Sequence, residues 1–238
     1  MNNCFSIKKN DVHIWWAFLP SFISQIDRFL TLLSPDELER IARLRFEKHR
    51  ERFIITRAVL RQILSCYIKT SAEKILFSYT PQGKPYLTLN SIYFNTSHSH
   101  DIAVYGFSGN NEIGIDVEKI EPTFNIKVAK RFFSKEEYQY LLNAPDREKN
   151  KIFYTLWSRK EALVKTIGSG LYTPLNAFSC LLQEKSSHVF LREKDKEWNF
   201  HMEDFNVHPD YHSAFAVKPP VTNISVWEWQ DHGPVAWQ

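Results

Sequence analysis

Two long stretches of helix-period sequence, each set among segments of strand character, constrain this 238-residue chain more than any other feature. The first is "LSPDELERIARLRFEKHRERFIITRAVLRQILSCYI" and the second "REKNKIFYTLWSRKEALVKTIGSG". In the first, Ser34 suits an N-cap, Pro35 the first helical position, and Glu37 follows three residues later, as in a capping box. Apolar residues return at Leu38, Ile41 and Leu44, then at Phe53, Ala58, Leu60 and Leu64. This spacing predicts two helices with a break near Phe46–His49. The second stretch predicts one long helix that ends at Gly168 or Gly170. Shorter helices precede it, one capped by Ser134 with Glu137 three residues on.

Strand patterns fill the rest. Residues 12–19 are rich in Trp and Phe; "ILFSYTPQGKPYL" reads as strand, turn, strand; "IYFNTSHSHDIAVYGFS" reads as strand, polar loop, strand. "IGIDVEKI" is a further strand, and strands with turns near 206–210 and 218–220 follow the long helix. Strands and a long helix thus occur twice over. The expected class is α+β, as two similar α/β halves, 1–109 and 110–238, each with a mostly antiparallel sheet and a long packed helix. The turn cluster Ser108-Gly109-Asn110-Asn111 marks the boundary.

Composition narrows the function classes. A net charge of +3 is compatible with an anionic partner without requiring one. The basic helices, with Arg40, Arg43, Arg45, Lys48, Arg50, Arg52, Arg57 and Arg61, lack the interleaved aromatics of a nucleic-acid reader. No apolar run reaches the ~20 residues of a membrane span. Cys4, Cys66 and Cys180 are scattered, without zinc or disulfide spacing, so a reducing, cytoplasmic setting is expected.

Within "GIDVE", alternation sends Ile113, Ile115 and Val117 to one face and Gly114, Asp116 and Glu118 to the other. The two carboxylates then lie roughly 7 Å apart at Cα. Gly114 leaves that face open to an approaching group. Hard cations take such oxygen ligands, often beside phosphate; an ordinary half-exposed strand has the same pattern. On the long helix, Trp157, Glu161 and Lys165 share one face, with Lys160 beside it. Glu161 can add a third carboxylate or act as a base, and Lys165 can meet a phosphate. A solvated row of ion pairs is the alternative. The loop "FNTSHSHD" holds Ser97, His98, Ser99, His100 and Asp101, which suit an anion better than zinc.

Together these segments resemble the 4′-phosphopantetheinyl transferases, whose signature reads G-x-D-x-E, then W-x-x-K-E-A-x-x-K. Here they are "GIDVE" and "WSRKEALVK", accompanied by "GKPYL", "FNTSHS", "KRFFSKEEY" and "GLYTPLNAFS". The likeness spans roughly residues 34–230 and is to the surfactin-synthetase-activating type, a pseudo-dimer of two halves in one chain. It implies pseudo-twofold symmetry, an active site at the interface of the halves, and a monomer. The implied reaction moves the phosphopantetheine arm of coenzyme A, the co-substrate, to a serine of an acyl, peptidyl or polyketide carrier protein. Magnesium sits on the pyrophosphate and 3′,5′-ADP leaves. By position, Asp116, Glu118 and Glu161 correspond to the metal carboxylates, with Glu161 also the base. Lys165, assisted by Lys160, corresponds to the phosphate-stabilising cation. Ser97 and His98 correspond to contacts at the 3′-phosphate, and Lys84, Arg52 and Arg40 to further nucleotide contacts. Phe132 and Phe133 can receive a carrier helix or belong to the core. Two positions depart from the pattern: Ser169 and Glu37 stand where basic residues are expected. A magnesium-dependent phosphohydrolase would use the same acids but not the "SHS" and "GKP" segments together. A silent binding module would not need Asp116, Glu161 and Lys165.

Overall fold

The computed structural model describes residues 5–88, 92–168, 174–181, 188–193, 196–230 and 233–236. Ser169 and Gly170 lie outside the described residues. The first strand, β1 (Asp11–Phe18), leads through a 3-10 segment into α1 (Ile26–Leu30), α2 (Pro35–Ala42) and α3 (Glu47–Ile68). The short pair β2 (Ser78–Tyr79) and β3 (Pro85–Tyr86) precedes β4 (Tyr93–Ser99), β5 (Ile102–Ser108) and β6 (Ile113–Lys119). Next come α4 (Ile126–Phe132), α5 (Lys135–Asn143) and α6 (Asp146–Ile167). The strands β7 (His188–Glu193), β8 (Lys196–Phe205), β9 (Tyr211–Val217), β10 (Asn223–Gln230) and β11 (Gly233–Ala236) complete the order. None of the described helices is long and apolar enough to cross a membrane.

The expected helices form for the expected reasons. Glu37 closes the capping box of α2 by accepting from the Ser34 backbone N–H, and Glu137 does the same for Ser134 at α5. At the end of α6, Gly168 takes a left-handed φ of 72° and its N–H bonds Val164 O.

Two main sheets stack face to face. The first has the order β11-β10-β1-β5-β4 and the second β6-β9-β8-β7. Val12, Ile14, Trp16, Ile102 and Val104 of the first sheet meet Ile113, Ile115, Val117, Phe215 and Val217 of the second. The opposite face of the first sheet, with Trp15, Ala17, Tyr105 and Phe107, packs on α3. The second sheet carries α6 on its outer face through Ala162, Leu163, Ala214 and Ala216. The layers therefore run helix, sheet, sheet, helix. A strand inside such a stack is apolar on both faces, which explains why "VHIWWA" alternates so poorly.

One expectation needs correction. "FNTSHS" is not a loop: β4 continues through Ser99, and the turn is confined to His100 and Asp101. Strand pairing also links residues on either side of 109/110. Strand β10 returns to pair in parallel with β1, Asp11 opposite Asn223 through Trp16 opposite Glu228, and β11 extends that sheet. The first sheet is therefore built from both ends of the chain.

Candidate active site

The site lies where the outer strand of each sheet meets the other. Strand β4 ends the first sheet and β6 ends the second. Alternate β4 side chains bind β6 directly. Asn95 Oδ1 accepts from the Ile115 N–H at 3.1 Å, Ser97 Oγ donates to Asp116 Oδ1 at 2.7 Å, and Ser99 Oγ donates to Glu118 Oε2 at 3.2 Å. The period of two on both strands makes this matching possible.

Helix α6 lies across the other side of β6. A Cβ placed on Gly114 would stand 2.0 Å from Ala162 O and 2.4 Å from Thr166 N. Gly114 therefore does not hold a face open for a ligand, as the sequence suggested; it lets the helix backbone reach the strand. The contact delivers Glu161 and Lys165 to the acidic strand. Lys165 Nζ donates to Asp116 Oδ1 (2.6 Å), Ser97 Oγ (2.9 Å) and Ile115 O (3.2 Å). In this structure Lys165 is thus the counter-ion of Asp116.

The electrostatics follow from three acids crowded in a partly dry place. Burial, then the Asp116 charge, pushes Glu118 up to about 7. The same two causes, in that order, raise Glu161. Asp116 is 3% exposed, and its Oδ2 is buried without a hydrogen-bond partner. His98 is lowered by burial and then by the positive charges of Lys165 and Arg52, which keeps its imidazole neutral near pH 7. Among the described residues, no three His, Cys, Asp or Glu side chains stand close enough to enclose a metal ion. The donor set nevertheless fits a hard cation. It is all carboxylate oxygen, one buried oxygen is unused, and burial with the Asp116 charge makes two of the acids hold their protons more tightly.

A cleft of about 450 Å³ opens beside these groups, lined by Arg40, Lys84, Ser97, His98, Glu161 and Lys165 among others. Six residues nominated from sequence are thus gathered around one space. Arg40 lies over the Phe53 ring, 5.1 Å from its centre. Lys84 Nζ bonds Glu112, Ile113 O and Lys165 O, tying the turn before β3 to β6 and to the end of α6. Arg52 is not in the cleft wall; it pairs with Asp101 at the β4–β5 turn. Asp116 and Glu118 are not among the residues that line the cleft. Arg57 also lines it and was not singled out from sequence. It pairs with Glu37, as does Arg61. That explains the acid at Glu37: it is a buried cap and counter-ion, not a missing nucleotide contact.

Lys160 is the clearest correction. It is wholly buried, paired with Glu137 at 2.7 Å and bonded to Leu175 O and Phe178 O. It joins α6 to α5 and to the segment beyond α6, away from the cleft. Phe133 is likewise core, and Phe132 packs edge-on against Trp157. Lys160→Met should cost about 3–5 kcal/mol in denaturant unfolding, because it strands a buried carboxylate. Adding Glu137→Gln should recover part of this. Turnover per folded molecule should stay near wild type; a selective loss of turnover would return Lys160 to the phosphate site.

Residues 112–216 match the model of the 4′-phosphopantetheinyl transferase superfamily, and residues 19–108 match the N-terminal model of 4′-phosphopantetheinyl transferase. The chain is 37% identical over 171 residues to the 4′-phosphopantetheinyl transferase HetI of Nostoc, covering 70% of this chain and 72% of that protein. The chain belongs to the 4′-phosphopantetheinyl transferase family. The transferase Sfp of Bacillus subtilis is 33% identical over 195 residues, with 82% of this chain and 86% of that protein covered. A mouse relative, L-aminoadipate-semialdehyde dehydrogenase-phosphopantetheinyl transferase, is 27% identical over 79% of this chain. The two family models meet between β5 and β6, so in this 4′-phosphopantetheinyl transferase the clasp from β4 to β6 joins the two matched regions.

Proposed function

We propose that this enzyme transfers the 4′-phosphopantetheine arm of coenzyme A to a serine hydroxyl of apo acyl, peptidyl or polyketide carrier proteins, releasing 3′,5′-ADP. The observation that carries the reading is one cleft lined by Arg40, Lys84, His98, Glu161 and Lys165, with Lys165 bonded to Asp116 of the acidic strand. Asp116, Glu118 and Glu161 would hold Mg²⁺, which supplies Lewis-acid neutralisation of the pyrophosphate. Arg40 and His98 receive the phosphates of the nucleotide end, and Lys84 adds its charge there, donating directly only if one of its three bonds is given up. Ser97 does so only if its bond to Asp116 is given up.

The bond formed joins the carrier serine oxygen to the phosphorus nearest the pantetheine, and the bond broken is the pyrophosphate P–O. The electron pair leaves with 3′,5′-ADP, and Lys165 stabilises the charge that develops. Of the three acids Glu161 lines the cleft, and burial has made it a better base than an ordinary glutamate. We assign it the serine proton. A bound cation would lower its affinity for protons again, so Glu161 would serve best as base with Asp116 and Glu118 as the residues that hold the ion.

The arrangement also supports a pseudo-twofold relation between halves. Helices α3 and α6 are both 22 residues long, and each covers the outer face of one sheet. A single chain then supplies both walls of the cleft, and a monomer suffices. The test uses purified protein, coenzyme A, Mg²⁺ and a panel of apo carriers. Mass spectrometry should show carriers gaining one phosphopantetheine group, and only with Mg²⁺ present. If the whole panel stays unmodified, the reading is wrong.

A further inference from the structure

Strand β6 is the outer strand of its sheet, so every second N–H on its free side needs a partner from elsewhere. The structure answers with side chains, not with a strand. Asn95 Oδ1 accepts from the Ile115 N–H, and Ser99 Oγ accepts from the Lys119 N–H at 3.2 Å. Ser99 does two things at once, because its hydroxyl proton goes to Glu118 Oε2 at 3.2 Å. A hydroxyl has one proton and two lone pairs. With the lone pair side fixed on a backbone N–H, the proton has a fixed direction, and that direction is Glu118. Ser97 makes the equivalent bond to Asp116, two residues back on each strand.

We infer that Ser99 is a positioning residue for Glu118, locking this carboxylate so that it presents its oxygens beside Asp116. Ser99 is not among the cleft-lining residues; it acts through the acid. This rests on the metal reading above. The Ser99–Glu118 pair is then the outer support of a metal carboxylate, a contact whose loss costs roughly 10–100-fold in affinity or activity.

The test measures Mn²⁺ binding to the purified protein by the electron paramagnetic resonance of free Mn²⁺, together with kinetics on an apo carrier. Ser99→Ala should weaken Mn²⁺ binding roughly tenfold or more and lower kcat, with the KM for coenzyme A unchanged. Ser99→Thr, which keeps the hydroxyl, should restore both. A merely structural role would lower the melting midpoint and raise the KM for coenzyme A without a selective change in Mn²⁺ binding. Ser99→Cys preserves size with a poorer donor and serves if the alanine variant does not fold. Mn²⁺ binding by Ser99→Ala or Ser99→Cys within twofold of wild type overturns the assignment. If wild type itself binds Mn²⁺ no better than Asp116→Ala does, the metal reading fails instead.

Discussion

Asp116→Asn should leave a folded protein that has lost about a thousandfold in kcat, since Lewis-acid stabilisation is worth several kcal/mol and each ~1.4 kcal/mol is tenfold. The substitution keeps the shape and an oxygen for Ser97 and removes the charge. In the free protein that charge is a liability. It is almost wholly buried, one of its oxygens has no hydrogen-bond partner, and it raises both Glu118 and Glu161. Removing it relieves two crowded acids and leaves Lys165 without its counter-charge. The two effects oppose each other, so the melting midpoint should change little. Mg²⁺ separates the cases further. A ligand stabilises only the state it binds, so adding Mg²⁺ in the presence of coenzyme A should raise the midpoint of wild type beyond that with coenzyme A alone, and not that of the variant. Calorimetry with and without Mg²⁺ and a carrier-modification assay check both halves. Full turnover by folded Asp116→Asn would remove this residue from the site.

Why the acids were legible and their surroundings were not is a matter of range. The period of two in "IGIDVE" needs only neighbours, and it correctly sent Ile113, Ile115 and Val117 into the inter-sheet core. The capping boxes at Ser34 and Ser134 are equally local. Lys160 and Lys165, five residues apart on one helix, look alike in sequence. What separates them is long-range: Glu137 and two carbonyls beyond the helix bury one, and β6 and Ser97 hold the other. "FNTSHS" reads as a loop because Asn, Ser and Thr bond backbone groups and so favour turns. Here they do bond backbone, but the backbone belongs to β6, about twenty residues on. The return of β10 to β1 pairs residues more than two hundred apart, which no local pattern announces.

Gly114→Ala should be strongly damaging for a single added methyl. In the sequence the missing side chain suggests space for a ligand; the structure gives that space to the backbone of α6. Overpacking costs about 1–3 kcal/mol when side chains can yield. At Gly114 the obstacles are Ala162 O and Thr166 N, held in the helix, so strand and helix must part and the cost should reach or exceed that range. Gly106→Ala is the control. Its new methyl would meet the flexible end of Ile113, Cδ1 at 3.0 Å, and should cost about 1 kcal/mol. Denaturant unfolding of the two variants measures the difference. The damage should also exceed what stability explains. Ala162 and Thr166 directly follow Glu161 and Lys165 in the chain, so a helix pushed off β6 carries both functional groups with it. A displacement of about 1 Å between reacting groups can cost a hundredfold in rate. The folded fraction of Gly114→Ala should therefore be nearly inactive. If that fraction turns over like wild type, the close seating of α6 on β6 is not what positions Glu161 and Lys165.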